Sequence, residues 1–341
     1  MPSTLNSNCN VCGISSHLSK CAACKVTFYC SKEHQVSDRP SHKTACNGIK
    51  KAETSLASAE AKLRAEPGDN FATPAGATIF EDYAGRFWGI LATRPYMRAR
   101  YALVEALLKI KTRAAAQAAL DHILDMLRLC RSDNMGVRNL VPALYLRLGR
   151  DQECYDFVKW YATEGQRGDY DWGDMENGFL DLKDEDAFEP TKVVAGQYAA
   201  LAPSAAITLL KIRLLFDVQA LQGSAAVGSR VPQEVLDQIR SHMVGDIVAK
   251  RQDIIESKDL QPVINKLSTQ VSEMYHCVKN SNKHFWPAVL RPGHHLTARP
   301  EAYSKGSVAE MQLVLQYSYD SWRETEKAIE MIGKLVAADK E

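Results

Sequence analysis

Eight residues near the amino terminus have the types and spacing of metal ligands: Cys9, Cys12, Cys21, Cys24, Cys30, His34, His42 and Cys46. They fall into four pairs, two of the form Cys-x-x-Cys, then Cys-x-x-x-His, then His-x-x-x-Cys. Two intervening residues let the backbone close a tight turn that aims both sulfurs at one ion. Three intervening residues place two ligands one helical turn apart on the same face. Eight donors in four pairs supply two tetrahedral zinc sites. Every position of each site would be filled by protein, so the zinc is expected to be structural, since catalytic zinc keeps one position open. So short a segment has little core of its own. Metal binding, on the order of 10–16 kcal/mol per site in finger peptides, would supply its folding energy.

Spacing admits two pairings. In the sequential one, the first two pairs share one ion and the last two share the other. In the cross-brace, Cys9, Cys12, Cys30 and His34 hold the first ion, and Cys21, Cys24, His42 and Cys46 hold the second. The run Tyr29-Cys30-Ser31-Lys32-Glu33-His34-Gln35, closing with His42-Lys43-Thr44-Ala45-Cys46, resembles the second half of a MYND zinc finger. That resemblance covers about residues 9–46. It implies the interleaved pairing, a compact zinc-nucleated fold and a role in binding short protein motifs. Two positions depart from the family pattern. The sixth ligand, usually Cys, is His34, which leaves each site Cys₃His; zinc accepts either donor. The position after Asp38, often Trp, is Arg39, followed by Pro40. His17 lies between the two Cys-x-x-Cys pairs with no partner at ligand spacing.

The elements that position these ligands must be read from the rest of the chain. Its 341 residues are enough for two or three domains of about 100–200 residues, and 45% apolar content excludes wholesale disorder. The 42 basic and 41 acidic side chains leave a formal charge of +1, which excludes attachment to nucleic acid or membrane by bulk charge. Met1 to Asn8 is polar and has no apolar signal core, so the cytoplasm or nucleus is the expected compartment. Reduced thiols there favour metal over disulfides. The most apolar stretch, 205–221, is broken by Lys211, Arg213 and Asp217 and is expected to be a buried helix rather than a membrane span.

Residues 50–65 are rich in Ala, Lys and Glu and predict a helix leaving the finger. Pro67-Gly68-Asp69 and Pro74-Ala75-Gly76 end it and mark a boundary. Thr93-Arg94-Pro95 starts another helix, with Pro in the first turn, where its missing N–H does no harm. After a break at Lys111-Thr112, residues 113–130 carry Leu120, Ile123, Leu124 and Leu127 on one stripe. Ser132-Asp133-Asn134 ends that unit and caps the next. Leu144, Leu146 and Leu148 then precede a Gly149-Arg150 turn and Cys154, Phe157, Val158 and Tyr161. Aligning Ile110 with Leu148 gives a period of 38, with Ala116 on Cys154 and Leu120 on Val158. The pattern resembles a divergent pair of tetratricopeptide (TPR) hairpins, whose usual period is about 34. Pro142 predicts a kink or a late helix start. Further helices are expected at 205–221, 232–249, 260–279, 308–319 and 322–335. No strand run is expected after the finger.

The predicted fold is therefore mainly α: a MYND-type finger (1–48), a helix and linker (49–79), and an all-α, TPR-like domain (80–341). Charge is segregated within it, with +5 over 91–131 and −8 over 169–189. These values suit either a basic groove for an acidic segment or ordinary solvated faces. No phosphate loop occurs, and Glu273-x-x-His276 lacks the matching second motif of a carboxylate-bridged metal site. His294-His295 reads as a loop. Asp169-Tyr170-Asp171-Trp172-Gly173-Asp174 mimics the start of a calcium loop without its later ligands. Cys130, Cys154 and Cys277 read as core thiols.

The functional expectation is a non-enzymatic adaptor with two structural zinc ions. Its finger presents a surface around Ser31, Gln35 and Arg39, and its helical body offers a second. Its partners would be proteins or peptide motifs, with no membrane role. The alternative is a DNA-associated transcriptional regulator, with an enzyme in the helical body a more remote one. Residues 1–50 carry a net +4, but each zinc site contributes a formal −1. The remaining charge, about +2, is weak for phosphate binding.

Overall fold

In a computed structural model, residues 5–65, 78–195, 199–225 and 244–339 are described. Of the linker expected around 66–79, residues 66–77 lie outside them, as does most of the helix expected at 232–249. The chain divides into two compact units. One holds residues 5–141 with 169–179; the other holds 142–168 with 180–341.

The first unit opens with the finger, whose strands β1 (Ser19–Lys20) and β2 (Phe28–Tyr29) pair antiparallel with Ser19 opposite Tyr29. Helix α1 then runs from Lys32 to Arg64 without interruption. It begins at an N-cap, where the Ser31 hydroxyl accepts a hydrogen bond from the His34 amide at 3.3 Å. Pro40 lies inside it. The carbonyl that Pro40 leaves without a donor is that of Val36, which is 62% exposed, so water can satisfy it. After the short helix α2 (Ile79–Asp82) come α3 (Arg94–Leu108) and α4 (Arg113–Leu129), which pack together as a hairpin, and α1 packs along α3. Phe80, Phe87 and Tyr96 cluster in the same unit, Tyr96 edge to face with both phenylalanines and the two phenylalanines tilted against each other. Asp133 ends the hairpin as predicted, its carboxylate accepting from the amides of Val137 and Arg138 at 2.9 and 3.0 Å.

The second unit is built on α7 (Leu201–Ala225), preceded by α5 (Val141–Leu148) and α6 (Asp151–Ala162). Pro142 sits in the first turn of α5, which is the late start its sequence predicts. Gly149, at φ 70°, makes the turn into α6. Matched positions of the 38-residue register are all buried: Ile110 and Leu148, Ala116 and Cys154, Leu120 and Val158. The two copies fall in different compact units.

Helix α7 is apolar almost all round and is buried accordingly. It packs against α6, α8 (Asp246–Ala249) and α10 (Gln261–Ser281), the last two separated by the short α9 (Gln252–Ile255). It also meets α12 (Val308–Glu324) and α13 (Ala328–Ala338), between which and α10 lies α11 (Phe285–Leu290). The expected helix at 322–335 is corrected here. Trp322 lies within α12, which runs on to Glu324, and the break falls at 325–327, where Lys327 adopts a left-handed φ of 63°. Among the described residues no helix is long and apolar enough to cross a membrane.

The three charges that interrupt α7 are themselves buried, and each has a polar partner. Arg213 pairs with Asp151 at 3.1 Å and donates to the Leu146 carbonyl at 2.7 Å. The Asp217 carboxylate accepts from the Gly245 amide at 2.8 Å. The Lys211 ammonium donates to the Ala187 carbonyl at 2.6 Å and to Gln270 Oε1 at 2.8 Å.

Burial lowers the Lys211 pKa to about 8, against the pull of nearby Asp186 and Glu189. Between that value and the ordinary lysine range, the unfolded chain holds a proton that the folded chain lacks. Stability should therefore rise with pH across this window. Lys211→Met is expected to flatten that rise, on the order of 3 kcal/mol for a shift of this size. Denaturant unfolding of both proteins on either side of the window measures it. An equal rise in the variant would assign the effect to another group.

Candidate metal centre

The first Cys-x-x-Cys turn is closed by the Gly13 amide donating to the Cys9 carbonyl at 3.0 Å and the Cys9 amide donating to that of Ile14 at 2.9 Å. Gly13 takes a φ of 74° there, which glycine adopts without strain. This turn faces Cys30, at the end of β2, and His34, one turn into α1. Cys9 Sγ lies 3.5 Å from His34 Nδ1, Cys30 Sγ lies 3.1 Å from the same nitrogen, and Cys12 Sγ lies 3.5 Å from Cys30 Sγ.

The second turn is closed by the Lys25 amide on the Cys21 carbonyl at 2.8 Å. It faces His42 and Cys46, one turn apart on α1. Cys24 Sγ lies 3.5 Å from His42 Nε2, and Cys21 Sγ lies 3.8 Å from Cys46 Sγ. The structure thus brings together Cys9, Cys12, Cys30 and His34 in one group, and Cys21, Cys24, His42 and Cys46 in another. Within each group all donor atoms lie within 4.8 Å of one another. This is the interleaved arrangement. His17 belongs to neither group.

The donor set suits zinc. With Zn–S bonds of about 2.3 Å, tetrahedral sulfurs stand about 3.7 Å apart, close to the separations here. Thiol acidity points the same way. Burial pushes the Cys9 thiol up, but the amides of Cys12, Cys30 and Val11 outweigh it and bring the pKa down to about 5. Cys30 is pushed up to about 11, chiefly by its contact with Cys12. In the second group the Cys24 and Ala23 amides and His42 overcome burial and lower Cys21 to about 6. Cys46 is pushed up to about 12 by burial and by the charges of Cys24 and Cys21. Crowded thiolates that resist full ionisation are what a divalent cation relieves.

Two fastenings around the ligands carried no sequence signal of their own. Asp38 accepts from Tyr29 Oη at 2.7 Å, from Asn10 Nδ2 at 2.8 Å and from Ser41 Oγ, joining the first turn, β2 and α1. Burial raises its pKa, and these three donors more than reverse that. Thr112 caps α4 while its hydroxyl donates to the Val26 carbonyl at 2.6 Å, and the Arg113 amide donates to the Asn6 carbonyl at 3.0 Å. The finger is thereby tied to the hairpin as well as to α1. Ser31 spends its hydroxyl on the helix cap, Gln35 is half-buried, and Arg39 is exposed one turn beyond it.

The other sequence features resolve into structure. Arg131 occupies the carbonyls of Asp174, Met175 and Asn177 at 2.7, 3.2 and 3.0 Å, and Asp171 and Asp174 accept from nearby amides. The calcium-like run is therefore self-satisfied. Residues 180–189 form an acidic strap on α6: Lys159 pairs with Glu185 and Glu189 at 2.6 Å each, and Trp160 Nε1 donates to Asp181 at 3.0 Å. Glu273 accepts from Thr191, and His295 meets Gln312 at 3.1 Å. Cys154 is fully buried, which pushes its thiol well above the ordinary range. Trp286 and Trp322 meet edge to face in the core of their unit.

A small domain with two interleaved Cys₃His groups is a zinc-binding cross-brace finger. Residues 9–46 match the family model of the MYND finger, and this segment of the chain is a MYND finger. The chain is 37% identical over 60 residues to Egl nine homolog 1 of Mus musculus, covering 18% of this chain and 15% of that protein. It is 45% identical over 40 residues to Egl nine homolog 1 of Homo sapiens, covering 12% and 9%. The aligned stretch is thus less than a sixth of the curated relatives' length, and no solved structure matches the chain.

Proposed function

We propose that this protein is a non-enzymatic adaptor whose zinc finger holds a short segment of a partner protein while the helical body contacts a second segment. The observation supporting this is the filling of all four positions of both donor groups by protein, which suits a rigid scaffold and leaves no coordination site for substrate. The ligands are Cys9, Cys12, Cys30 and His34 for one ion and Cys21, Cys24, His42 and Cys46 for the other. The finger also exposes Val11, Ile14 and Val36, apolar side chains that a bound peptide would cover. Reduced thiols fit a cytoplasmic or nuclear setting.

Capture of partners by the full chain, compared with the Cys24→Ser chain, tests the reading. A partner retained by the first and lost by the second is the expected result. Sequence-independent capture of duplex DNA with a steep salt dependence would replace the adaptor with a DNA-bound regulator.

A further inference from the structure

We propose that a groove between the end of α1 and the start of α3 binds a short acidic peptide segment of a partner protein. The proposal rests on the adaptor reading and gives the helical body its binding surface. The groove measures about 680 Å³ and is lined by Thr54, Ser58, Lys62 and Leu63 of α1 and by Ala92 and Pro95 on the opposite wall. Among the described residues no carboxylate lines it. Its small side chains let a peptide backbone approach closely, and its hydroxyls both donate and accept.

Charge selects the occupant. Among the described residues neither Lys62, Arg94 nor Arg98 has a carboxylate within ion-pair distance, whereas Arg100 and Arg128 of the same hairpin share Asp125. Arg98 lies one turn beyond Pro95 on α3, and Arg94 and Arg98 both stack on Trp88, at 5.1 and 5.6 Å from the ring centroid. The ring holds two guanidinium groups in place without neutralising them. Helix α3 begins at the groove with no acidic residue in its first turn, so its positive end adds to the field. Leu91, next to the lining residue Ala92, is 70% exposed and offers an apolar contact. The α1 side of the groove, from residue 54 to residue 63, is about 14 Å long at 1.5 Å per residue. That accommodates about four extended residues. A nucleic acid is the weaker fit, because the aromatic ring beside the groove already carries arginines rather than a free face for base stacking.

The test uses the full chain and a fluorescent peptide of about a dozen residues alternating Glu with Leu. Controls are the same peptide with Lys for Glu and a single-stranded oligonucleotide. The acidic peptide is expected to bind in preference to both. The Lys62→Glu, Arg98→Glu double variant should weaken it by about tenfold or more. The Lys62→Arg, Arg98→Lys variant should largely keep it. Zinc content equal to wild type in all variants shows that the finger is intact. Equal binding of acidic and basic peptides, indifference to the charge reversal, or preference for the oligonucleotide would each overturn the proposal. Finger-dependent partner capture that survives such a result would leave the adaptor reading standing.

Discussion

Cys24→Ser is expected to release zinc from its site and unfold the finger, the largest effect of any single substitution in the chain. Cys24 is buried, its sulfur lies 3.5 Å from His42 Nε2, and the other donors of its group surround it. A serine hydroxyl does not ionise near neutral pH and replaces a thiolate poorly. Loss of one structural site forfeits binding free energy on the order of 10 kcal/mol, more than the typical margin holding a domain folded. The interleaved pairing spreads the damage, because α1 carries ligands of both sites and the second turn lies in the chain between the two halves of the first. Elemental analysis should show fewer than two zinc ions per chain. His17→Ala should retain both, since His17 stands outside both groups. Two ions retained in Cys24→Ser would disprove the ligand assignment.

Arg213→Ala should be the most damaging change away from the finger. It removes the partner of Asp151 in a site where both side chains are almost wholly buried. Burial already raises the Asp151 pKa to about 6 despite the Arg213 charge. Without Arg213, the carboxylate must lie uncompensated or take up a proton. Breaking a buried pair in this way costs about 3–5 kcal/mol, on the order of 10 °C in Tm for a unit of this size. The Leu146 carbonyl would also lose one of its two donors, keeping the Gly149 amide at 3.1 Å. Replacing both partners, Arg213→Met with Asp151→Leu, is expected to recover most of the loss. Calorimetry of the two single variants and the double variant measures the coupling. Additive losses would show that the pair is not the source.

The ligands were legible because metal spacing is local. A tight turn or one helical turn brings each pair together, and the sequence writes those intervals directly. The interleaving came from the family resemblance, since either pairing satisfies the spacing. The ties that seat the finger were not legible. Thr112 and Val26 meet across 86 positions, and a threonine that caps a helix looks the same whether or not its hydroxyl also reaches a distant carbonyl. The break between α12 and α13 falls at 325–327 rather than at the expected 320–321 for a related reason. It turns on a lysine in a left-handed conformation, with neither Gly nor Pro to announce it. The interruptions in 205–221 spoke against a membrane span, but their partners on α6, on the strap and beside α8 became visible only with the fold. The acidic strap and the basic hairpin, set side by side as charge sums, find most of their partners separately. Lys159, Lys250 and Arg251 hold the strap, while Arg131 holds carbonyl oxygens.

Helix α1 carries zinc ligands at one end and lines the groove at the other. From Gln35 to Lys62 is about 40 Å along the axis and about seven and a half turns. The finger's presenting side and the groove therefore point about half a revolution apart, and the angle between them is kept by the register of one rod. Removing two residues from its exposed middle would swing one end by about 200° relative to the other. Removing seven would bring it nearly back into phase. A partner engaging both ends would sense the number of residues between them more than their identity.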